Sequence, residues 1–529
     1  METTNRHNTY NTLFHWHSFR LKLVFEGIAV GILAGLLVVL YRFALERAMV
    51  FLQEIYGTLS ARPQLIPVWL GALLITGVIL GKLTKYEPMA GGSGIPQVEG
   101  VLLRKLKMNW WKVIIVKFFG GILAIGSGLS LGREGPSVQL GAAVGQGFSK
   151  IFRRVKLEEK YLITSGASAG LAAAFNAPLA GVMFALEEVH KNFSPLVLLS
   201  SLAAALSADY ISSGFFGLKP VFDLQSLSVL PLKSYLFVVV LGALIGVLGV
   251  IFNKSVLKTQ LLYSKLKIIP KELWIIIPLM ISVVLGFILP QVLGGGHDLI
   301  VELLTAGKFP LISLLVLLLV KFLFTMISYG SGAPGGIFLP LLSIGALIGG
   351  IYGFAVVNLF NMDSTYINSF IILAMAGYFT AVVRAPITGI ILITEMTGSF
   401  NHLLSLAIVS ITAYIAADLL GSKPIYESLL ERILQKQDNS AVIGNKRHKS
   451  ILEFAVCMGS MADGKQIKAI KLPSHCLMVA VRRGEREIIP NGDTVLCAGD
   501  YLIVLTNDDR AAKINDSFAK LCGSCEVQK

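Results

Sequence analysis

A single carboxylate stands inside a long apolar stretch, in the loop Gly132-Arg133-Glu134-Gly135-Pro136. An ionisable group at membrane depth costs about 3 kcal/mol on insertion scales, so it marks a functional site by default. Glycines flank Glu134 on both sides, and an apolar run follows from Ser137-Val138. That order spells a loop feeding a helix N-terminus, whose unpaired N–H groups and dipole attract anions. A negative side chain placed in an anion site is either a plug or a proton carrier. The plainer alternative is a glutamate paired with its neighbour Arg133. Two more loops, Gly92-Ser93-Gly94-Ile95-Pro96 and Gly335-Gly336-Ile337-Phe338-Leu339-Pro340, also open apolar segments with free backbone donors, and Ser93 adds a hydroxyl. A fourth element, Lys423-Pro424-Ile425-Tyr426, offers a phenol near the end of the last apolar segment. Hydroxyls and N–H groups without a full positive charge suit a site that must bind an anion and release it quickly.

The elements that carry these loops are membrane-like. The 529 residues are 54% hydrophobic and 15% charged, with a mean hydropathy of +0.71, against about 25% charged in soluble domains. Apolar windows near the 20 or so residues of a bilayer span fall at about 21–45, 66–83, 112–130, 195–213, 235–253, 273–293, 310–328, 340–360 and 402–420. Two others, 161–186 and 367–394, are interrupted by Gly and Pro and read as broken or tilted pieces. The first 20 residues are polar and hold no apolar core of a cleavable signal.

The net charge of +14 fits nucleic-acid contact less well than the Lys/Arg excess that keeps loops in the cytoplasm. Arg20, Lys22, Lys150, Arg153, Arg154, Lys156 and the cluster from Lys423 to Lys449 read that way. Both termini are then cytoplasmic, which requires an even number of crossings. All five cysteines fall between Cys457 and Cys525, as expected of free thiols in a reducing compartment. Cys522-Gly523-Ser524-Cys525 lacks the further ligands a zinc site needs, so no metal is expected.

The chain repeats itself. A shift of 204 residues lays Lys117–Gly145 on Lys321–Gly349 without a gap, with ten of 29 positions identical. Asn176-Ala177-Pro178 with Glu187 resembles Arg384-Ala385-Pro386 with Glu395, and Gly91-Gly92-Ser93-Gly94 has a looser partner in Gly294-Gly295-Gly296. Paired Gly/Pro-interrupted segments in two halves point to a transporter binding site at the repeat interface. The halves run about 21–215 and 230–435 within a membrane domain at 21–435, after a cytoplasmic segment at 1–20. A polar linker at 436–450 leads to a small α+β domain at 451–529, where short alternating runs are separated by turn signals at Arg483-Gly484, Asn491-Gly492 and Gly499-Asp500.

On GSGIP, GREGP, GIFLP and the Tyr426 element in this order, the chain resembles the CLC family of chloride channels and proton-coupled chloride transporters over roughly 20–435. The resemblance implies an all-α polytopic membrane protein, an inverted repeat of many tilted helices, and a homodimer with one pore per subunit. It implies Ser93 and Tyr426 hydroxyls and the Ile337 and Phe338 amides around a central chloride. Amides near Glu134 and Gly135, with those of Phe338 and Leu339, would form an outer site, and Glu134 would be the gating glutamate. Gly181–Glu188 matches the family segment whose second glutamate takes protons from the cytoplasm, and exchangers tend to carry a carboxylate there. Glu188 therefore favours H+/Cl− exchange over a passive chloride channel, although Glu187-Glu188 with His190 and Lys191 could also be a solvated helix end. Fluoride-specific members replace the serine of GSGIP, so Ser93 favours chloride.

The tail resembles the RCK C-terminal (TrkA-C) module of bacterial potassium channels and transporters. It does so on Arg482-Arg483-Gly484, Ile488 to Thr494, and Asp500. Such modules are usually dimeric regulators, and some bind cyclic di-AMP. Arg482 would then meet phosphate while Ile488, Ile489 and Pro490 pack on adenine; the alternative is a purely structural dimerisation domain. The tail argues for a bacterial cell membrane as the setting. A potassium pore is excluded by the lack of a TVGYG-like filter. An intramembrane enzyme is disfavoured by the lack of HExxH or a Ser–His pair at membrane depth.

Overall fold

The computed structural model describes residues 5–222, 228–266, 268–305, 309–438, 449–470, 472–484, 486–507 and 511–523. The chain forms two compact units, Met1–Leu434 and Gln435–Lys529. In the first unit the helices are α1 Asn5–Ala61, α2 Ile66–Tyr86, α3 Ile95–Leu102, α4 Trp110–Gly126, α5 Glu134–Ile151, α6 Lys156–Phe175, α7 Pro178–Phe184 and α8 Pro195–Phe216. The second half supplies α9 Tyr235–Lys265, α10 Ile276–Ile288, α11 His297–Thr305, α12 Leu311–Gly330, α13 Phe338–Phe360, α14 Tyr366–Val383, α15 Pro386–Thr397 and α16 Leu403–Leu419. Helix α17, Ile425–Asp438, follows. Among the described residues, nine helices are long and apolar enough to cross a membrane.

The stretch at 1–20, expected as a separate polar segment, is helical from Asn5 and continuous with the first apolar run. The two windows expected to break do so at equivalent places. Helix α6 ends at Asn176 (φ 51°) and α14 at Arg384 (φ 72°), both left-handed. Each is followed by Ala-Pro, and proline opens the next helix because its missing N–H is an orphan there anyway. After Phe184 the first of these helices continues as a π turn, Ala185–His190.

Helices α1–α8 correspond in order to α9–α16, and the two sets form an inverted repeat about a local twofold axis. Gly132 and Gly336, equivalent under the 204-residue shift, pair with each other antiparallel, Gly132 N to Gly336 O at 2.7 Å and Gly336 N to Gly132 O at 2.8 Å. Pairing between equivalent residues is what a twofold requires. The same reciprocity links Gly92 N to Gly332 O and Gly294 N to Gly128 O. The looser sequence match at Gly294-Gly295-Gly296 is close in structure: Gly92 and Gly94 have φ of 61° and 95°, and Gly294 and Gly296 have 61° and 93°.

Gly94 is the position where only glycine fits. Its φ lies in the region L side chains rarely adopt, and a Cβ there would run into the Gln139 side chain. A strained backbone alone costs about 1–3 kcal/mol. Gly94→Val is therefore expected to abolish transport and lower the yield of folded protein, as measured by gel filtration in detergent and chloride flux.

The second unit holds a four-stranded antiparallel sheet in the order β1-β4-β2-β3, with β1 Lys449–Ala455, β2 Cys476–Arg483, β3 Arg486–Ile488 and β4 Asp500–Asn507. Helix α18, Ala511–Cys522, packs against β1 and β4, with Phe518 stacked on Phe454 at 4.7 Å. Arg483 binds the buried Asp500 through two 2.7 Å hydrogen bonds, and the Cys497 amide donates to the same carboxylate at 2.8 Å. Burial pushes the Asp500 pKa up, but the Arg483 pair and the amide outweigh it and hold the carboxyl below its usual range. A depressed folded pKa contributes stability above the unfolded value, near pH 4, and loses it as pH falls through the folded value. Arg483→Met should therefore destabilise this unit at neutral pH by about 1 kcal/mol, since the arginine is half exposed. The difference should vanish in acid, as read by amide exchange in β4.

Cys476, Cys497 and Cys522 are free, whereas Cys457 is disulfide-bonded, which corrects the expectation of five thiols. Cys525 lies outside the described residues, as does most of the expected linker at 436–450.

Candidate functional site

Three helices begin in the interior without a side-chain cap: α3 after Gly94, α5 after Arg133 and α13 after Ile337. A helix start leaves its first N–H groups without intrahelical partners. Here those groups open into protein rather than water, because Ser93, Glu134, Ile337 and Phe338 are each at most 1% exposed. The loops meet closely. A Cβ on Gly135 would press on the backbone and hydroxyl of Ser93, and one on Gly132 would strike the Glu134 carboxylate beside the Leu339 amide. Ser93 Oγ accepts from Ile95 N at 3.2 Å.

Among the described residues neither Glu134 oxygen has a hydrogen-bond partner of good geometry, and the backbone amides nearest in effect are its own and that of Leu339. Arg133, its expected neutraliser, instead meets Glu46 at 3.2 Å. Tyr426 is fully buried on the first turn of α17, and its hydroxyl has no partner among the described residues. It lies within electrostatic reach of Tyr329, Glu188 and Glu134. Phe338, at the start of α13, packs its ring among Phe175, Phe184 and Phe379, with centroids 4.8 to 6.1 Å away. A cavity of about 1080 Å³ opens beside Arg42, Glu46, Arg133, His297 and Leu339.

Glu188 sits on the π turn, 3% exposed, with Oε1 unpartnered among the described residues. Its charged surroundings are Lys191, Glu99, Glu187 and Glu427, and Lys191 binds Glu99 at 2.6 Å. A solvated helix end therefore does not describe Glu188. Glu187 is partly exposed, and its carboxylate accepts hydrogen bonds from the Ile387 and Thr388 amides.

Sequence reasoning missed two lysines. Lys117 and Lys321, both fully buried, each donate to two carbonyls of a glycine loop. Lys117 reaches Ala90 O at 3.0 Å and Gly92 O at 2.6 Å, and Lys321 reaches Val292 O at 2.9 Å and Gly294 O at 2.8 Å. They head the 204-residue match, which was the signal available. In the tail, Arg482 binds Glu453 at 3.1 Å and lies over the Tyr501 ring, while Ile489 is 90% exposed. Among the described residues no group of His, Cys, Asp or Glu is placed to hold a metal.

Comparison with known proteins agrees with this architecture. The sequence pattern of the Voltage gated chloride channel family matches residues 72–418, and that of the TrkA-C domain matches 451–519. The H(+)/Cl(-) exchange transporter ClcA of Vibrio campbellii is 38% identical over 427 residues, covering 78% of this chain and 90% of that protein. The ClcA of Salmonella schwarzengrund is 36% identical over 442 residues, covering 80% and 92%. Among solved structures, a slow cyanobacterial Cl−/H+ antiporter superposes with a TM-score of 0.75 at 32% identity, covering 79% of this chain and 99% of that one. A CLC-type fluoride/proton antiporter gives 0.64 at 26%, covering 77% and 97%. By its repeat, its loops and these likenesses, the chain is a multi-pass membrane protein that belongs to the voltage-gated chloride channel family and carries a TrkA-C domain.

Proposed function

We propose that this protein is a secondary transporter that exchanges chloride for protons across the cell membrane, with Glu134 as the outer proton station and Glu188 as the inner one. The observation that carries the reading is the Glu134 carboxylate itself, fully buried at an uncapped helix start, beside Ser93 and the Leu339 amide, and with no ion-pair partner among the described residues. Ionised, it satisfies the donors that chloride would use. Protonated, it loses its hold on them and an anion takes its place. Ser93, Tyr426 and the Ile337 and Phe338 amides hold the central chloride, and Gly135 and Leu339 supply amides to the outer one. The exchanger relatives and the buried Glu188, whose Oε1 is unpartnered among the described residues, favour coupling over the passive channel. In sealed liposomes holding the full-length protein, an imposed chloride gradient should drive protons the opposite way. Chloride movement with no pH change would leave the channel reading.

The protein works as a homodimer with both termini cytoplasmic. In support of that orientation, the part of α1 around Lys22 meets the basic α5–α6 connection and the first turn of α6: Lys22 binds Glu158 at 2.9 Å and Arg154 binds Glu26. One membrane face therefore gathers these charges, as cytoplasmic loops do. In the tail, the exposed Ile489, just after the strand that pairs with Arg482's own strand, supports a regulatory surface, formed with Ile488, Pro490 and Arg482, for cyclic di-AMP. Calorimetric titration of the full-length protein with cyclic di-AMP should show binding that Arg482→Ala weakens at least about tenfold, the scale of a lost charge-assisted contact. No heat with the parent protein would remove the ligand from the account.

A further inference from the structure

Glu187 and Glu395 occupy equivalent places, each nine residues after the proline that opens its segment, Pro178 and Pro386. The two segments, α7 with its π turn and α15, pack against each other. Neither helix start is capped by its own preceding residue, Ala177 or Ala385. The cap arrives from the other half of the chain instead. Glu395 accepts from Leu179 N at 3.1 Å and Ala180 N at 2.7 Å. Glu187 accepts from Ile387 N at 3.2 Å, and from Thr388 N and Thr388 Oγ1 at 2.8 Å each. The hydroxyl bond has no counterpart in the other pair, because Ala180 stands where the second half has Thr388.

Carboxylates on helix-start amides make charge-assisted hydrogen bonds and face the positive end of the helix dipole. Among the described residues neither glutamate is within salt-bridge distance of a lysine or arginine, so these amides are the groups that offset its charge. The segment that carries Glu188 is thus held in its first turn and in its last. Glu395 fastens its first turn, and Glu187, the residue before Glu188, fastens its last turn to α15. Glu187 and Glu188 both lie in the π turn Ala185–His190, a local irregularity that recurs at functional sites and needs support from its surroundings.

We propose that Glu187 and Glu395 are positioning residues, a reciprocal carboxylate clasp that joins the two repeats head to tail and fixes the turn that presents Glu188. The inference rests on Glu188 being the inner proton station. Freeing either end lets the turn shift, and a displacement of about 1 Å can cost a proton-transfer step a hundredfold.

The test records chloride and proton fluxes together in liposomes of full-length protein, for Glu395→Gln, Glu187→Gln, Thr388→Val and Glu188→Gln. The first two should lower the proton-to-chloride ratio by about threefold or more while chloride turnover stays within about twofold, a selective effect of misplacement. Thr388→Val, losing one bond, should lower it less, and Glu395→Gln should add nothing once Glu188→Gln is present. Chloride and proton fluxes falling in proportion would mean the pair only holds the fold, and would overturn the proposal, as would unchanged fluxes. If the glutamine variants do not fold, an unchanged ratio in Thr388→Val overturns it. If Glu188→Gln alone still moves protons, the inner-station reading fails, and the clasp then stands or falls on whether Glu395→Gln lowers the ratio.

Discussion

Glu134→Gln or Glu134→Ala should abolish proton movement while chloride continues to flow down its gradient. The glutamine keeps the size of the side chain but neither ionises nor carries an exchangeable acid proton. It therefore cannot compete with chloride as a charge, and it cannot ferry protons. The alanine leaves the same uncapped amides of α5 and α13 open to an anion. A buried group that works only by changing its protonation state cannot be partly replaced by a neutral isostere, so the expected fall in coupled proton flux is to background, at least about a hundredfold by the usual scale of lost proton transfer. Simultaneous recordings with a chloride electrode and a pH electrode make the comparison in one sample. Proton flux persisting in Glu134→Gln would show that protons travel by another route.

Glu188→Gln should remove proton coupling by a different step and leave chloride binding alone. Glu188 is buried on the π turn, on a different element from the three uncapped helix starts, among Lys191, Glu99, Glu187 and Glu427. Its removal leaves Ser93, Tyr426 and the loop amides in place. The expected signature is proton flux reduced at least about a hundredfold with a chloride affinity equal to the parent's by calorimetry. A weaker chloride affinity would mean that this carboxylate shapes the anion site, and the two-station arrangement would be wrong.

Much of this was legible from residue types because each local signal had a local cause. Gly-Ser-Gly-Ile-Pro and Gly-Arg-Glu-Gly-Pro encode loop-to-helix turns through glycine's backbone freedom and proline's fit at a helix start, and α3 and α5 begin where those motifs place them. The broken segments followed from Asn176-Ala177-Pro178 and Arg384-Ala385-Pro386. Short helices such as α11 were not anticipated, because nine residues carry too little apolar run to stand out. Nor was α1 starting at Asn5, since polarity says little about helicity when a long helix continues from it.

The partners of buried charges were the least legible part of the site. Lys117 lies 25 residues from the Gly92 carbonyl it holds, and Glu395 lies 215 residues from the Ala180 amide it caps. The Glu395 pair follows from the twofold packing of the repeats and the Lys117 pair from the fold within one half, not from spacing along the chain. The same reason explains Glu187, whose neighbours in sequence suggested a solvated end while its hydrogen-bond donors lie in the other half.

The sharpest measurement is a crystal structure of Glu134→Gln grown in bromide, with the anion located by anomalous scattering. The account predicts a bromide at the place the parent carboxylate holds, beside the Leu339 amide and Gly135, together with one near Ser93 and Tyr426. No anomalous peak at the vacated carboxylate position, with bromide bound elsewhere, would contradict the claim that this acid and the anion share one seat.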